Sequence, residues 1–472
     1  MEEAKIYLGS TPATKEQKGE IRSPFNDKVV ATYPICDAED AKKALEIAKD
    51  AFQRNLHAML AQRIAWLRDV AKKLKEQKEE FALTITKEIG KPITFSRVEV
   101  QRAIETIELS ADFATSLVGE TINTDATQSG RKSMAFYKRV PVGVVVAITP
   151  FNFPLNLSAH KLAPALVAGN AVVYKPTPEA PLTGYKLAKL FIESEHALPD
   201  MLSVVYGDAE VGEALVTSDI PRKISFTGSV PVGKIIMKNA GIKKVSLELG
   251  GNAATFIDKD ADIAHAASRC AVGAFVNSGQ VCISLQRIYV HEDVYEEFAA
   301  ALAEDTKKLK VGDPYEPDTF MGPLINEEAA MRAERWVKSA IEQGARAILP
   351  GKREGRYFYP AILADVTDDM QIVCEEVFAP IVSLVKVRSY DEAIAKMNDS
   401  PYGLQFSIFT KDIELIKRFV DDAEAGGVVV NDIPTLRFDI QPYGGVKLSG
   451  IGREGPKFAL EEFTEIKSVV IV

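Results

Sequence analysis

Apolar positions change their spacing several times along the chain, and each change marks a different kind of element. Residues 1–36 are interrupted by Pro12, Gly19, Pro24 and Pro34, which predicts extended and turn segments. Asp37 suits a helix N-cap, and Ala41, Ala44, Leu45, Ala48 and Phe52 then recur at helical spacing. The same period predicts further helices over about 60–77, 79–89 and 95–118. Residues 121–139 abandon it. Polar, β-prone and turn-rich around Ser129-Gly130, they predict a protruding hairpin. Two strands alone are marginal, so the hairpin needs a neighbour, and another subunit is an economical one.

From Val142 short apolar runs alternate with helical spacing. Strands are predicted at Val142–Ile148, Ala171–Tyr174, Ser203–Tyr206, Lys223–Phe226 and Lys244–Leu247. The helices between them carry Leu162 and Leu166, then cover about 181–195, 210–217 and 231–240. That alternation predicts an α/β fold with a doubly wound parallel sheet. Ligands of such sheets bind at the carboxyl ends of the strands. Those ends carry Thr149-Pro-Phe-Asn-Phe-Pro154, Lys175-Pro-Thr-Pro-Glu179, Gly207 and Thr227-Gly-Ser229. After Gly251 a second α/β alternation begins, with helices near 262–278, 293–309, 326–344 and 411–423. Its strands are expected at Arg287–Val290, Ile381–Val387, Phe406–Phe409 and Val428–Val430. The β-branched end, Val469–Val472, would be a sticky edge unless it pairs with the hairpin or another chain.

With 472 residues the chain is long enough for two or three domains, and 46% hydrophobic with 26% charged residues is ordinary for a globular protein. A net charge of −9 suggests neither a nucleic-acid nor an anionic-membrane partner. No basic start followed by an apolar run opens the sequence, and no stretch is long enough to span a bilayer, so a cytoplasmic protein is expected. Cys36, Cys270, Cys282 and Cys374 form no CxxC, and the five histidines are scattered. No metal site and no disulfide framework are expected.

Chemistry concentrates in two stretches. Phe275-Val-Asn-Ser-Gly-Gln-Val-Cys282 presents a thiol after a small, turn-forming approach, and Leu247-Glu-Leu-Gly-Gly251 presents a carboxylate 34 residues upstream. A thiolate is a good nucleophile and a carboxylate a serviceable base, but that interval requires the fold to bring them together. Taken singly, Cys282 could be a buried core cysteine and Glu248 a helix cap. Phe226-Thr-Gly-Ser229 with Gly233 closes a strand and opens a helix, a geometry that welcomes phosphate, though it departs from GxGxxG. Asn152 offers an amide or simply an Asx turn before Pro154. Lys175 and Glu376 could meet ribose hydroxyls or only solvent.

Together these segments closely resemble the aldehyde dehydrogenase superfamily. The segments are Pro150-Phe-Asn-Phe-Pro154, Lys175-Pro176, Phe226-Thr-Gly-Ser229, Leu247-Glu-Leu-Gly-Gly251, Asn277-Ser-Gly-Gln-Val-Cys282, Glu376-Val-Phe378 and Pro442-Tyr-Gly-Gly-Val-Lys447. Each is weak alone; in this order they are specific. The resemblance implies an NAD- or NADP-dependent enzyme in which Cys282 attacks the aldehyde, Asn152 and the Cys282 N–H hold the oxyanion, and Glu248 activates water against the thioester. It implies Ser229 at the pyrophosphate, Lys175 and Glu376 at ribose hydroxyls, and Phe378 near the nicotinamide ribose. Gly207, Gly228, Gly233, Leu249 and Gly250 would line the cleft, with Thr149, Pro150, Phe151, Gly212, Phe226 and Thr227 among the cofactor-binding positions.

Some positions depart from the family pattern. Phe151 stands where many members have tryptophan. Where NAD-preferring members often carry glutamate, this chain has Pro178, followed by Glu179, so both dinucleotides stay open. Val281 replaces the arginine that often precedes the thiol in enzymes for phosphorylated aldehydes. Arg437 falls on the loop lining the aldehyde tunnel, where it could meet a carboxylate or hydroxyl, or be a structural partner of Asp439. The sequence looks most like lactaldehyde and related small-aldehyde dehydrogenases. Succinate-semialdehyde, nonphosphorylating glyceraldehyde-3-phosphate and CoA-acylating enzymes are the alternatives, with a non-catalytic binding protein on the same scaffold beyond them. The expected division is a dinucleotide-binding domain at 1–120 and 140–250 and a catalytic domain at 251–435. A β bridging element would comprise 121–139 and 436–472, the latter with the substrate loop and tail, and a homodimer or homotetramer is expected.

Overall fold

The computed structural model describes residues 2–472. Five parallel strands form the heart of the first sheet: Val144–Ile148, Ala171–Lys175, Leu202–Val204, Lys223–Thr227 and Lys244–Glu248. The first of these lies between the second and the fourth, so the winding direction reverses beside it. Ligand crevices of open α/β sheets form at such a reversal. The loops 149–154 and 227–229 leave the two strands that flank it. Helices follow the apolar periodicity. Ala38–Arg54 is closed by a capping box between Asp37 and Asp40 and buries Ala41, Ala44, Leu45, Ala48 and Ala51, with Phe52 half-buried. Leu60–Glu76, Lys78–Ile89 and Ile93–Phe113 occupy the predicted places.

The second sheet runs in spatial order Arg346–Glu354, Tyr357–Ala364, Ile381–Val387, Leu285–His291, Ala253–Ile257, Gln405–Phe409 and Gly427–Val430, parallel except for its first strand. Its Ala253–Ile257 strand and the hairpin of residues 346–364 were not anticipated. The first follows the Gly250-Gly251 turn with no helix before it, and the hairpin carries Lys352, Arg353 and Glu354, which mask its apolar alternation. In the third sheet Thr464–Ile471 pairs antiparallel along Met134–Pro141, with Thr121–Ile122 on the other side. The predicted hairpin and tail therefore cover each other. Before reaching that tail the chain returns to the first sheet, where Gly450–Ile451 pairs with Leu247 and Glu248, and Ala459, Leu460 and Phe463 join its core. No helix among the described residues is long and apolar enough to cross a membrane.

Candidate active site

Helix Ile263–Phe275 points its C-terminal end at the seam between the two large sheets, and the chain then turns sharply. Asn277, Ser278 and Gly279 all take left-handed angles, φ 51°, 55° and 72°. Two consecutive non-glycine residues there are strained, and strain of this kind persists where surrounding contacts over-determine it. Ser278 Oγ donates to Gly322 O at 2.8 Å, and the Ile325 N–H donates to Gln280 Oε1 at 3.0 Å. At 279 only glycine fits, because a Cβ would lie 2.2 Å from Ala379 O. The turn delivers Cys282 half-buried, its Sγ 3.0 Å from Tyr443 Oη.

The first sheet supplies the opposite wall. Glu248 ends its strand, its carbonyl accepting from the Gly228 N–H at 3.0 Å. Both of its carboxylate oxygens are buried without a hydrogen-bond partner. Asn152 donates through Nδ2 to Gln280 O at 3.0 Å, which ties the 149–154 loop to the thiol turn. Lys91 grips the same loop from behind, donating to Asn152 O at 2.6 Å and lying 3.8 Å over the Phe153 ring. Its charge is matched by Glu99, whose Oε1 accepts from the N–H groups of Leu155 (2.9 Å) and Asn156 (3.2 Å).

Two cavities meet at Cys282. One, about 290 Å³, gathers twelve sequence-identified residues: Pro150, Phe151, Asn152, Thr227, Gly228, Ser229, Glu248, Leu249, Gly250, Cys282, Glu376 and Phe378. Arg332 completes its wall together with Leu157. Phe151 and Phe378 meet edge-on at 6.0 Å, and Phe378 is itself held at a positive φ of 48°. The second cavity, about 150 Å³, takes Val281 and Arg437 together with Lys91, Arg102, Phe153 and Tyr443. Other expected cofactor residues do not line the first cavity. Phe226 packs beneath Gly228, Gly233 beneath Leu249, and Thr149 Oγ1 turns to Tyr174 Oη at 3.4 Å. Lys175, Pro178, Glu179, Gly207 and Gly212 lie beyond it, with Glu179 accepting from the Thr177 hydroxyl.

The sequence model described as "Aldehyde dehydrogenase family" matches residues 11–469. The chain belongs to the aldehyde dehydrogenase family. It is 44% identical over 468 residues to a 3-sulfolactaldehyde dehydrogenase of Priestia aryabhattai, covering 99% of this chain and 97% of the relative. It is 41% identical over 458 residues to a lactaldehyde dehydrogenase of Methanococcus aeolicus, covering 96% and 97%. Among solved structures, the glyceraldehyde-3-phosphate dehydrogenase of Methanocaldococcus jannaschii complexed with NADP superposes with a TM-score of 0.93 at 39% identity, covering 97% of this chain and all of that one (100%).

Within this aldehyde dehydrogenase, burial dominates the electrostatics of the seam. It pushes the Cys282 thiol up to about 11, against the pull of the Tyr443 hydroxyl and the Arg437 charge. Burial, reinforced by the nearby Glu454 carboxylate, raises Glu248 well above the usual carboxylate range. Glu454 goes the other way. Against the cost of burial, Lys161 (3.0 Å), His160 and Arg437 (3.3 Å) hold it down to about 2. Arg437 is not simply the partner of Asp439: their nearest charged atoms are 3.8 Å apart, while Asp439 receives both arms of Arg102 at 2.8 Å and His160 Nε2 at 2.9 Å. Arg437 instead reaches Glu454 and stacks 3.6 Å from the centre of the Tyr443 ring.

Sequence reasoning missed Lys91, Glu99, Arg102, His160, Lys161 and Glu454, named Asp439 only as a structural partner for Arg437, and carried Tyr443 only within the Pro442–Lys447 motif. One signal was present. Ser96, Glu99, Thr106 and Ser110 are buried polar residues spaced along one helix, where a scaffold helix would carry aliphatic side chains.

Glu376 gives a pH prediction. Its carboxylate accepts from the Gly251 N–H at 3.1 Å, yet burial lifts it from 4.5 to about 7, opposed by that bond and by Arg332. A carboxyl with a raised folded-state pKa binds protons more tightly folded than unfolded, so its contribution to stability is present below 4.5 and lost as pH rises toward 7. In thermal melts of the cofactor-free protein, Glu376→Gln should gain stability relative to wild type between pH 5 and pH 8. A constant difference across that range would disprove the shift.

Proposed function

We infer that the chain oxidises a small aldehyde bearing a hydroxyl next to its carbonyl to the corresponding acid, through a covalent thioester on Cys282 and with NAD or NADP. The observation that carries this is the position of the Cys282 sulfur where two cavities meet, one facing Glu248 and Asn152, the other lined by Tyr443 and Arg437. The first cavity suits the nicotinamide half of a dinucleotide. Gly250 has no room for a Cβ beside Glu376, Thr227 Oγ1 is buried without a partner, and the Ser229 side chain caps nothing on helix Val230–Asn239. That helix end would hold the pyrophosphate, and Glu376 a ribose. Lys175 and Glu179, further along the strand ends, would meet the second ribose or its phosphate. When bound, the nicotinamide takes up a hydride.

The residues divide the work as follows. Cys282 passes its proton to solvent water, and the sulfur electron pair forms the S–C bond while the carbonyl pair moves onto oxygen. The Asn152 amide has a second N–H beyond the one given to Gln280, and with the Cys282 N–H it would hold that oxyanion, a contribution of ~3–4 kcal/mol in comparable sites. Reformation of the carbonyl expels the hydride with its electron pair and leaves the thioester. Glu248 then takes a proton from water, the oxygen adds to the acyl carbon, and the sulfur leaves with its electrons. A raised pKa suits Glu248 to this step, since a stronger base removes the proton from water more readily. The presence of this base favours hydrolysis over transfer to CoA.

The comparisons support the substrate class. The relatives are named for sulfolactaldehyde and lactaldehyde, and the structural neighbour for glyceraldehyde 3-phosphate. All three aldehydes carry a hydroxyl on the carbon beside the carbonyl. The expected division at residues 120, 140, 250 and 435, a cytoplasmic location and a homo-oligomer belong to this reading. Exposed Ile466, Val470 and Ile471 on the tail strand would face the partner subunit.

A panel of lactaldehyde, 3-sulfolactaldehyde, glyceraldehyde 3-phosphate, succinate semialdehyde and propanal, assayed with NAD and NADP separately and without CoA, tests the reading. Acid and reduced dinucleotide should form together; absence of both across the panel refutes it. Cys282→Ala should lose turnover while retaining dinucleotide binding measured by fluorescence, and turnover near the wild-type rate would remove the thiol from the mechanism. Glu248→Gln should keep a single-turnover burst of reduced dinucleotide and slow the steady state by about 10²–10⁴-fold, the usual range for a lost general base. Equal loss of both phases would place Glu248 before deacylation.

A further inference from the structure

Among the described residues the Tyr443 hydroxyl has one hydrogen-bond partner, the Cys282 sulfur at 3.0 Å. The ring cannot turn away to find another. Tyr443 is 6% exposed, packs with Val281, Ile283 and Leu404, and carries the Arg437 guanidinium 3.6 Å over its face. Arg437 spends Nη2 on Glu454 and lies 3.3 Å from His160, so it approaches the π cloud and leaves the phenol oxygen alone. Burial also keeps the phenol protonated, so once the thiol ionises the phenol O–H donates to the sulfur 3.0 Å away.

That arrangement is satisfied only while the sulfur is free. Once the sulfur has bonded to the aldehyde carbon it becomes a thioether or thioester sulfur, a weak acceptor. The buried phenol then needs a new partner. Tyr443 lies in the aldehyde cavity beside Val281 and Arg437, on the far side of the sulfur from the dinucleotide cleft. With the phenol oxygen 3.0 Å from the sulfur, a group on the carbon adjoining the one bonded to sulfur would come within its reach. A methyl or hydrogen there leaves the phenol unpaired, whereas a hydroxyl accepts its proton.

We propose that Tyr443 is a specificity-determining residue that selects aldehydes with a hydroxyl on the carbon next to the carbonyl, its O–H passing from the Cys282 sulfur to that hydroxyl as the S–C bond forms. The proposal rests on the aldehyde-oxidising reading of Cys282. A site built to hydrogen-bond a substrate hydroxyl discriminates strongly against the analogue without it, because the protein's own polar group is stranded.

The test compares kcat/KM for lactaldehyde and for 2-methylpropanal, which replaces the hydroxyl by a methyl of similar size, in wild type and in Tyr443→Phe. The phenylalanine retains the ring on which Arg437 rests, so the packing is kept. Both aldehydes should react more slowly in the variant, since the thiolate loses a donor, but lactaldehyde should fall about tenfold further, the factor for one hydrogen bond. The wild-type preference would then collapse. If Tyr443→Phe slows both aldehydes equally and keeps the preference, the phenol acts on the sulfur alone and the proposal is overturned while aldehyde oxidation stands. If wild type oxidises neither compound nor any other member of the panel, the reading of Cys282 fails first. Should Tyr443→Phe fail to fold, Tyr443→His, which keeps a ring N–H donor, must preserve the preference in the direction of wild type, and its loss there counts against the proposal.

Discussion

The two large sheets come together through backbone that no side chain could enter. A Cβ on Gly251 would lie 2.3 Å from the Cys282 carbonyl, and one on Gly250 would lie 2.2 Å from Glu376. Across this seam the Gly251 N–H donates to Glu376, and Asn252 Nδ2 donates to Val373 O at 2.6 Å. Glu248, on one sheet, and Cys282, delivered by a helix packed on the other, therefore share a wall. Everything chemical in the molecule depends on that closeness. A nucleophile and a base from distant parts of the sequence act together only if the fold fixes their separation, and effective molarity falls steeply when such geometry loosens.

Burying reactive groups at a seam imposes a cost that the surrounding residues meet. An unpaired buried charge is strongly disfavoured, whereas paired and hydrogen-bonded charges are tolerated. Lys91 sits with Glu99, Lys161 with Glu454, and Arg102 with Asp439, the first two pairs enclosed and Arg102 half-buried, each touching a segment that carries site residues. Lys91 and Glu99 are both buried, and between them they bind three backbone groups of residues 152–156. Removing one member would strand the other and release the loop that carries Asn152.

The sequence makes some of this visible. Period-2 and period-3.6 patterns place most elements within a few residues, since a half-buried helix or strand must repeat its apolar face. The Gly-rich motifs mark the cleft because their spacing reflects close backbone approach. The charged pairs were hidden for a physical reason. Arg102 and Asp439 are separated by most of the chain, and nothing local in either position indicates burial. The same holds for Tyr443, which reads as one residue of a glycine-rich turn until the fold sets it against Cys282. The Ala253–Ile257 strand was missed because it begins directly after the double glycine, where the turn signal dominates the short apolar run.

The distribution of charge explains how the site can react without rebuilding itself. Burial pushes both Cys282 and Glu248 toward their neutral forms, in the place where an uncompensated charge would cost most. Charged side chains stand one layer back: Arg437 and Lys161 meet Glu454, and Arg102 pairs with Asp439, which also meets His160, itself pushed by burial toward its neutral form. Hydrogen bonds and ion pairs tie these groups to one another. A preorganised field of this kind stabilises charge at the moment it develops, on sulfur and then on the oxyanion. Burial raises both pKa values, Arg437 and the Tyr443 hydroxyl oppose that rise at the thiol, and the seam of glycines is what brings the reacting groups close enough to act together.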